Sequence, residues 1–467
     1  MTNLGYTPEE PIAAIATALA PSALGIVRCS GKSCVELVSK IFSRPKALLA
    51  AKGNEIVYGW IIAPCQSGQS KNSEKIDEVL VSVFRAPKSF TGEDMVEISC
   101  HGGVNVVMAI YSLLLSNGFR AAEKGEFSFR AFINGKTDLT RAEAIREIID
   151  SKTDTSRSHA AGRLSGNLFD TIDEIKKKIT DIIANIEVEI EYPEDEETIA
   201  ESFDDSELRG VEKELSDLAL SWKSEKIYQD GARVVLCGKT NAGKSSLFNA
   251  LLKEERAIVS DIEGTTRDFI ESWVSFDGIP ARLFDTAGLR ETEDVIEQRG
   301  VEITKGLSAE ADLILYLVDS TVGLTDDDND FLKDHAAGKS RTPLLIVFTK
   351  ADLASEIVFS ELGFDSVQVS SKSGEKISEL CDKVKIILSA GEKSERNSAG
   401  LGSERQKTAV EQALSCVRHA LSLTNDYALD AVVQDLEDSL DFLGEVTGEV
   451  TPDDILGSIF SRFCVGK

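Results

Sequence analysis

The run Gly238-Lys-Thr-Asn-Ala-Gly-Lys-Ser245 restricts the possible folds of this chain more than any other feature. It has the pattern G-x-x-x-x-G-K-S and directly follows Arg233–Cys237, an apolar, β-branched run that predicts a buried strand. Glycines 238 and 243 let successive backbone N–H groups close round phosphate oxygens, and a helix beginning near Lys244 points its positive end at them. A loop of this kind needs a strand before it and a helix behind it. The surrounding chain obliges: ARLFD, DLILYLVD, PLLIVF and SVQVS alternate with helical stretches between about 230 and 390, the pattern of a parallel sheet with crossover helices. Lys244 suits the outer phosphates and the Ser245 hydroxyl suits magnesium, while Asn241, Ala242 and Ser246 complete the loop.

Three further motifs follow in order. Asp285-Thr286-Ala287-Gly288 comes after the strand 281–284, where an Asp contacts magnesium through water and a Gly N–H reaches the terminal phosphate. Thr349-Lys350-Ala-Asp352 comes after the strand 344–348, and the Asp352 carboxylate can accept both N–H donors of a guanine edge, which adenine does not offer. Ser370-Ser371-Lys372 would set a backbone N–H against the guanine carbonyl. Together these predict GTP rather than ATP. Thr349 stands where GTPases usually carry Asn, so guanine selectivity is expected to rest on Asp352, with somewhat weaker affinity. Leu289 replaces the water-positioning Gln of Ras-like proteins, so another group must orient water and supply positive charge.

Elsewhere the chain is read by zones. Residues 1–135 mix short strand-like runs with Gly/Pro turns and a helix over 104–115, an α+β pattern. Leu168, Ile172, Ile175, Ile179, Ile182 and Ile186 form a helical seam, and Leu429, Val432, Leu436, Leu440 and Leu443 form another. The simplest architecture joins 136–228 and 396–467 into one all-α helical domain, with the α/β domain 229–392 inserted in it. Between the first seam and that insertion, residues 191–205 carry eight carboxylates, the composition of a solvated linker. A net charge of −28 argues against non-specific coating of nucleic acid, so RNA recognition would need a local basic patch or a partner. Eight scattered cysteines without a CxxC pair, and four histidines, give no zinc spacing. With no long apolar run or visible secretory signal, a cytoplasmic location is expected, without membrane or DNA contact.

Gly264-Thr-Thr-Arg-Asp268, Asp285-Thr-Ala-Gly-Leu-Arg290, FTGEDMVEISCHGG at 90–103, GEFSFRAFINGKTDLTRAEAI at 125–145 and the terminal FCVGK resemble the signatures of the MnmE (TrmE) family of tRNA modification GTPases. The resemblance covers the whole chain. It implies a multidomain protein: an α+β N-terminal domain for tetrahydrofolate binding and dimerisation, the all-α domain, and an inserted Ras-like P-loop GTPase domain. It also implies a homodimer that works with the flavoprotein MnmG. Together they modify carbon five of wobble uridine in tRNA to a carboxymethylaminomethyl-type group, using a one-carbon unit of 5-formyl- or methylenetetrahydrofolate.

Residue by residue, the resemblance implies potassium ligands at Asn241, Ser260, Ile262 and Thr265. Asp261 and Gly264 lie in the same nucleotide-binding loop, and Thr266 is a second magnesium ligand beside Ser245. Glu297 matches the water-orienting glutamate, and potassium would do the work of an arginine finger. Arg28, Glu93, Lys136 and Lys467 match the folate contacts, and Cys464 matches the family's terminal catalytic cysteine. Two alternatives remain at this point: a regulatory GTPase of ribosome assembly, and a folate-dependent aminomethyl transferase acting on other substrates.

Overall fold

The computed structural model describes residues 10–63, 74–191, 204–253, 270–285, 311–339, 342–353, 363–389, 400–424 and 428–466. They fall into two compact units. One runs to Arg146 and is joined by Glu437–Lys467; the other is Glu147–Leu436.

The first unit is built on a six-stranded sheet. Its strands are β1 (Ile12–Ile15), β2 (Ser22–Ser30), β3 (Glu55–Ala63), β4 (Glu74–Phe84), β5 (Met95–Gly102) and β6 (Arg120–Ala121), in the order β3-β4-β5-β2-β1-β6. Every pairing is antiparallel except β1 with β6. The two-residue period decides what each face buries. Val79, Val81 and Val83 of β4, Val27 and Cys29 of β2, and Val96, Ile98 and Cys100 of β5 pack into one core with helices Cys34–Ser39 and Val104–Ser116. Arg28 lies between two of those inward residues and therefore faces the other side, in register with Glu97. On that side Ile12 and Ala14 of β1 pack with Met95, Ala122 and Phe127, and helix Glu126–Ile133 covers them.

The second unit contains another six-stranded sheet, of β7 (Ala232–Gly238), β8 (Ile270–Phe276), β9 (Ile279–Asp285), β10 (Leu313–Asp319), β11 (Leu344–Thr349) and β12 (Ser366–Gln368). The order is β12-β11-β10-β7-β9-β8, parallel except for β8 against β9. Its central strands are apolar without alternation because both faces are covered: Val234, Leu236 and Leu315 enter one core, Val235, Ile314 and Tyr316 the other. The chain leaves β7 where the strand order turns, the place at which open α/β sheets bind ligands.

Helices Asp154–Ser165, Asn167–Glu191, Ser206–Asp230 and Glu404–Leu423 also belong to this unit. The seam predicted from Leu168 to Ile186 is buried along one face of Asn167–Glu191. A buried polar cluster joins three segments: Arg163 reaches Glu147 (2.6 Å) and Glu225 (2.8 Å), and His159 Nδ1 meets Glu225 at 3.0 Å. Burial pushes the Glu225 carboxyl up, but the bonds and charges of His159 and Arg163 outweigh it and hold it below its ordinary range.

Candidate functional site

The G-x-x-x-x-G-K-S run forms a tight loop at the end of β7. Gly238 has φ 135°, and a Cβ there would fall 2.3 Å from the Leu317 carbonyl oxygen on β10, so only glycine fits. Asn241 (φ 66°) and Gly243 (φ 89°) turn the chain back, and helix Lys244–Lys253 starts directly behind. Lys244 Nζ donates to the Gly238 and Lys239 carbonyls at 2.6 and 2.8 Å, so its charge sits within the loop. Ser245 Oγ donates to Asp285 Oδ2 at 2.9 Å. Asp285 ends β9, which pairs with β7 in the register Leu236↔Asp285, and this places hydroxyl and carboxylate side by side. Two hard oxygens beside a tight loop at the start of a helix suit a phosphate with a small divalent cation.

The same C-terminal edge of the sheet, at β11 and β12, carries the second group of motifs. Thr349 closes β11 and is buried; its Oγ1 lies 2.7 Å from the Ala242 carbonyl and 3.2 Å from that of Val318. A hydroxyl has one proton, so the shorter bond takes it and ties the phosphate-type loop to the sheet. Ala351 N donates to Val369 O at 3.1 Å, which brings the Thr349–Asp352 and Ser370–Lys372 segments together. Ser370 Oγ donates to Asp352 Oδ1 at 2.7 Å, which orients that carboxylate. Lys350 (φ 58°) pairs with Asp319 at 2.5 Å. Burial raises the Asp319 carboxyl, yet bonds from Lys350 and Thr321 prevail and lower it. Ser260, Asp261, Ile262, Gly264, Thr265, Thr266, Thr286, Ala287, Gly288, Glu297 and Lys467 lie outside the described residues.

The first unit holds a separate cluster. Arg28 donates to Glu97 Oε1 at 2.8 Å and to the Gly466 carbonyl at 3.1 Å, with its guanidinium over the rings of Phe90 and Phe127. Gly466 can be there because of its positive φ (91°); a Cβ would sit 2.8 Å from Ile15 O. The segment before it is anchored by a Lys124↔Val465 bridge and by Phe460 and Phe463 packed with Phe129. Cys464 is exposed on that segment as a free thiol. Gly92 (φ 77°) lets the 91–93 turn meet Asn134 and Lys136, and Asn134 Nδ2 donates to Thr91 O at 2.7 Å. Glu93 Oε2 accepts from Ser30 Oγ (2.8 Å) and Arg130 (2.9 Å), and Lys136 Nζ donates to Pro87 O at 3.0 Å. Arg28, Glu93, Lys136 and Cys464 thus belong to one unit.

Comparison with known proteins agrees with this layout. Residues 11–136 match the family model for the GTP-binding protein TrmE N-terminus, and residues 139–464 match that of the MnmE helical domain. A protein of Treponema denticola called tRNA modification GTPase MnmE is 52% identical, with 99% of each chain covered. The chain belongs to the MnmE family of tRNA modification GTPases. Proteins of the same name from Treponema pallidum (41% identical, 99% of each chain) and Acetivibrio thermocellus (39%, covering 98% of this chain and 99% of the other) are similar along their full lengths.

In this MnmE-family chain, several residues that hold the site were missed by motif reading. Glu97 fixes Arg28, Phe90 and Phe127 flank it, and Arg130 and Ser30 grip Glu93. The signal for Glu97 was the strand alternation of MVEISC, which puts it opposite the core-facing Val96 and Ile98. The signal for Arg130 was its four-residue spacing from Glu126 in GEFSFRAF.

Proposed function

We propose that this protein is a GTP hydrolase that modifies carbon five of wobble uridine in tRNA, using a tetrahydrofolate one-carbon unit and a flavoprotein partner. The observation that carries the reading is the 52% identity to a tRNA modification GTPase across 99% of both chains, together with a nucleotide-type cradle and a second polar cluster in the same polypeptide. The loop amides and Lys244 would hold the phosphates, and Asp352, oriented by Ser370, would accept from the guanine edge. Ser245 with Thr266 would hold Mg2+, which supplies charge neutralisation at the phosphates; the Ser245–Asp285 oxygen pair fits that ion. Asn241 with Ser260, Ile262 and Thr265 would hold K+, and Glu297 would orient the attacking water. The protein acts as a homodimer in the cytoplasm.

In the first unit, Arg28, Lys136 and Lys467 suit the anionic tail of a folate, and Glu93 suits the N–H edge of its pterin. Cys464 acts near the one-carbon unit. Three measurements test the reading. Steady-state GTP hydrolysis should rise steeply when sodium is replaced by potassium; equal rates would remove the cation from the mechanism. Glu297→Ala should abolish most turnover and spare GTP binding. Wobble-uridine content of tRNA from a deletion strain should be restored by the wild-type protein and not by Cys464→Ser, whose GTPase rate should stay normal. Restoration by that variant would reduce Cys464 to a packing role.

A further inference from the structure

Glu93 sits at one end of a chain of alternating charges. Arg120 Nε donates to Glu10 at 2.9 Å and its NH1 and NH2 to Glu126 at 3.1 and 2.6 Å. Arg130 then bridges Glu126 Oε1 (2.8 Å) and Glu93 Oε2 (2.9 Å). Arg130 is 0% exposed and Glu126 5%. Glu93 Oε2 also accepts from Ser30 Oγ, itself 0% exposed and bonded to Thr91 Oγ1 at 2.7 Å. Among the described residues Glu93 Oε1 accepts no hydrogen bond, and the side chain is 15% exposed. The neighbouring cations are engaged elsewhere: Arg28 with Glu97 and Gly466 O, Lys136 with Pro87 O.

We propose that Arg130 is a positioning residue that, together with Ser30, commits one oxygen of Glu93 to the protein and so aims the other at an N–H donor of the ligand. The chain holds three carboxylates and two guanidiniums, so it keeps one net negative charge that an N–H donor of the ligand at Glu93 would stabilise. Lysine cannot substitute, because a single ammonium cannot span both Glu126 and Glu93 as a planar fork does. The proposal rests on reading this cluster as the folate site.

The test is a double-mutant cycle on the full-length protein with 5-formyltetrahydrofolate as probe, reading Kd by calorimetry alongside the melting temperature. E93Q and R130K should each weaken binding about tenfold, the scale of one hydrogen bond to a charged group. The double variant should bind no worse than E93Q alone, because Arg130 acts only through Glu93. Losses that multiply to about a hundredfold would show that Arg130 affects binding independently of Glu93, and overturn the proposal. If R130K melts early, S30A serves in its place: it removes the other donor on the same oxygen and should likewise add nothing to E93Q. Full-strength binding by R130K or S30A would refute the proposal alone. Failure of the wild-type protein to bind the probe would refute the folate reading and the proposal with it.

Discussion

Thr349→Val keeps the shape of a fully buried side chain and removes its hydroxyl. The structure says what is lost: the 2.7 Å bond to the Ala242 carbonyl and the weaker 3.2 Å approach to Val318 O. A Cβ on Gly243 would lie 3.3 Å from Thr349 Oγ1, so the hydroxyl sits close to the loop there. Removing one such bond from a buried carbonyl costs about 1–2 kcal/mol. If the loop needs that bond to hold its phosphate-binding shape, the loss falls on nucleotide affinity as roughly a 5- to 30-fold rise in Kd. A fluorescent GDP analogue titrated against wild type, Thr349→Val and Thr349→Ser gives the comparison, with Ser expected to recover most of the affinity. Guanine preference over inosine should be unchanged in all three, because it lies with Asp352. A valine variant that binds GDP within a factor of about two of wild type would refute the assignment of Thr349 as the tie between loop and sheet.

Other perturbations follow from single contacts. Asp352→Asn should weaken GDP by roughly a hundredfold, two charge-assisted bonds being lost, and improve xanthosine diphosphate, whose edge presents a carbonyl; competition binding reads both. Gly125→Ala should destabilise the first unit by roughly 1–3 kcal/mol in urea, because Gly125 has φ 68° and a Cβ would meet Phe460 O at 2.4 Å. Glu225 titrates below its ordinary range in the folded chain, so its contribution is complete above that range and lost as pH falls through the folded value. The urea midpoint of the second unit should therefore drop on acidification, and Glu225→Gln should flatten that dependence.

Much of the nucleotide cradle was legible from residues alone, because glycines at 238 and 243 and the order of four motifs permit few other backbones. The parallel sheet was legible too, since strands buried on both faces read as unbroken apolar runs. The cluster in the first unit was not. Arg28 and Glu97 are 69 residues apart and meet only through the β2–β5 register, and Arg28 meets Gly466 across 438 residues. No local period carries such distances, so family resemblance named Arg28, Glu93 and Lys136 while the geometry supplied Glu97, Ser30 and Arg130. The role of Thr349 was half legible: its missing amide could be read from sequence, its bond to Ala242 could not.

The anchoring of residues 437–466 to the sheet of β1–β6 has a bearing on biogenesis. During synthesis the ribosome delivers the whole of Glu147–Leu436 before the segment that packs Phe460 and Phe463 against Phe129 emerges. The aromatic surface and the Arg28 guanidinium must therefore wait, partly uncovered, while the intervening stretch acquires its own structure. Nascent chains stalled before residue 437 would expose that surface to chaperones, and no translation intermediate could hold the Arg28 cluster in its finished form.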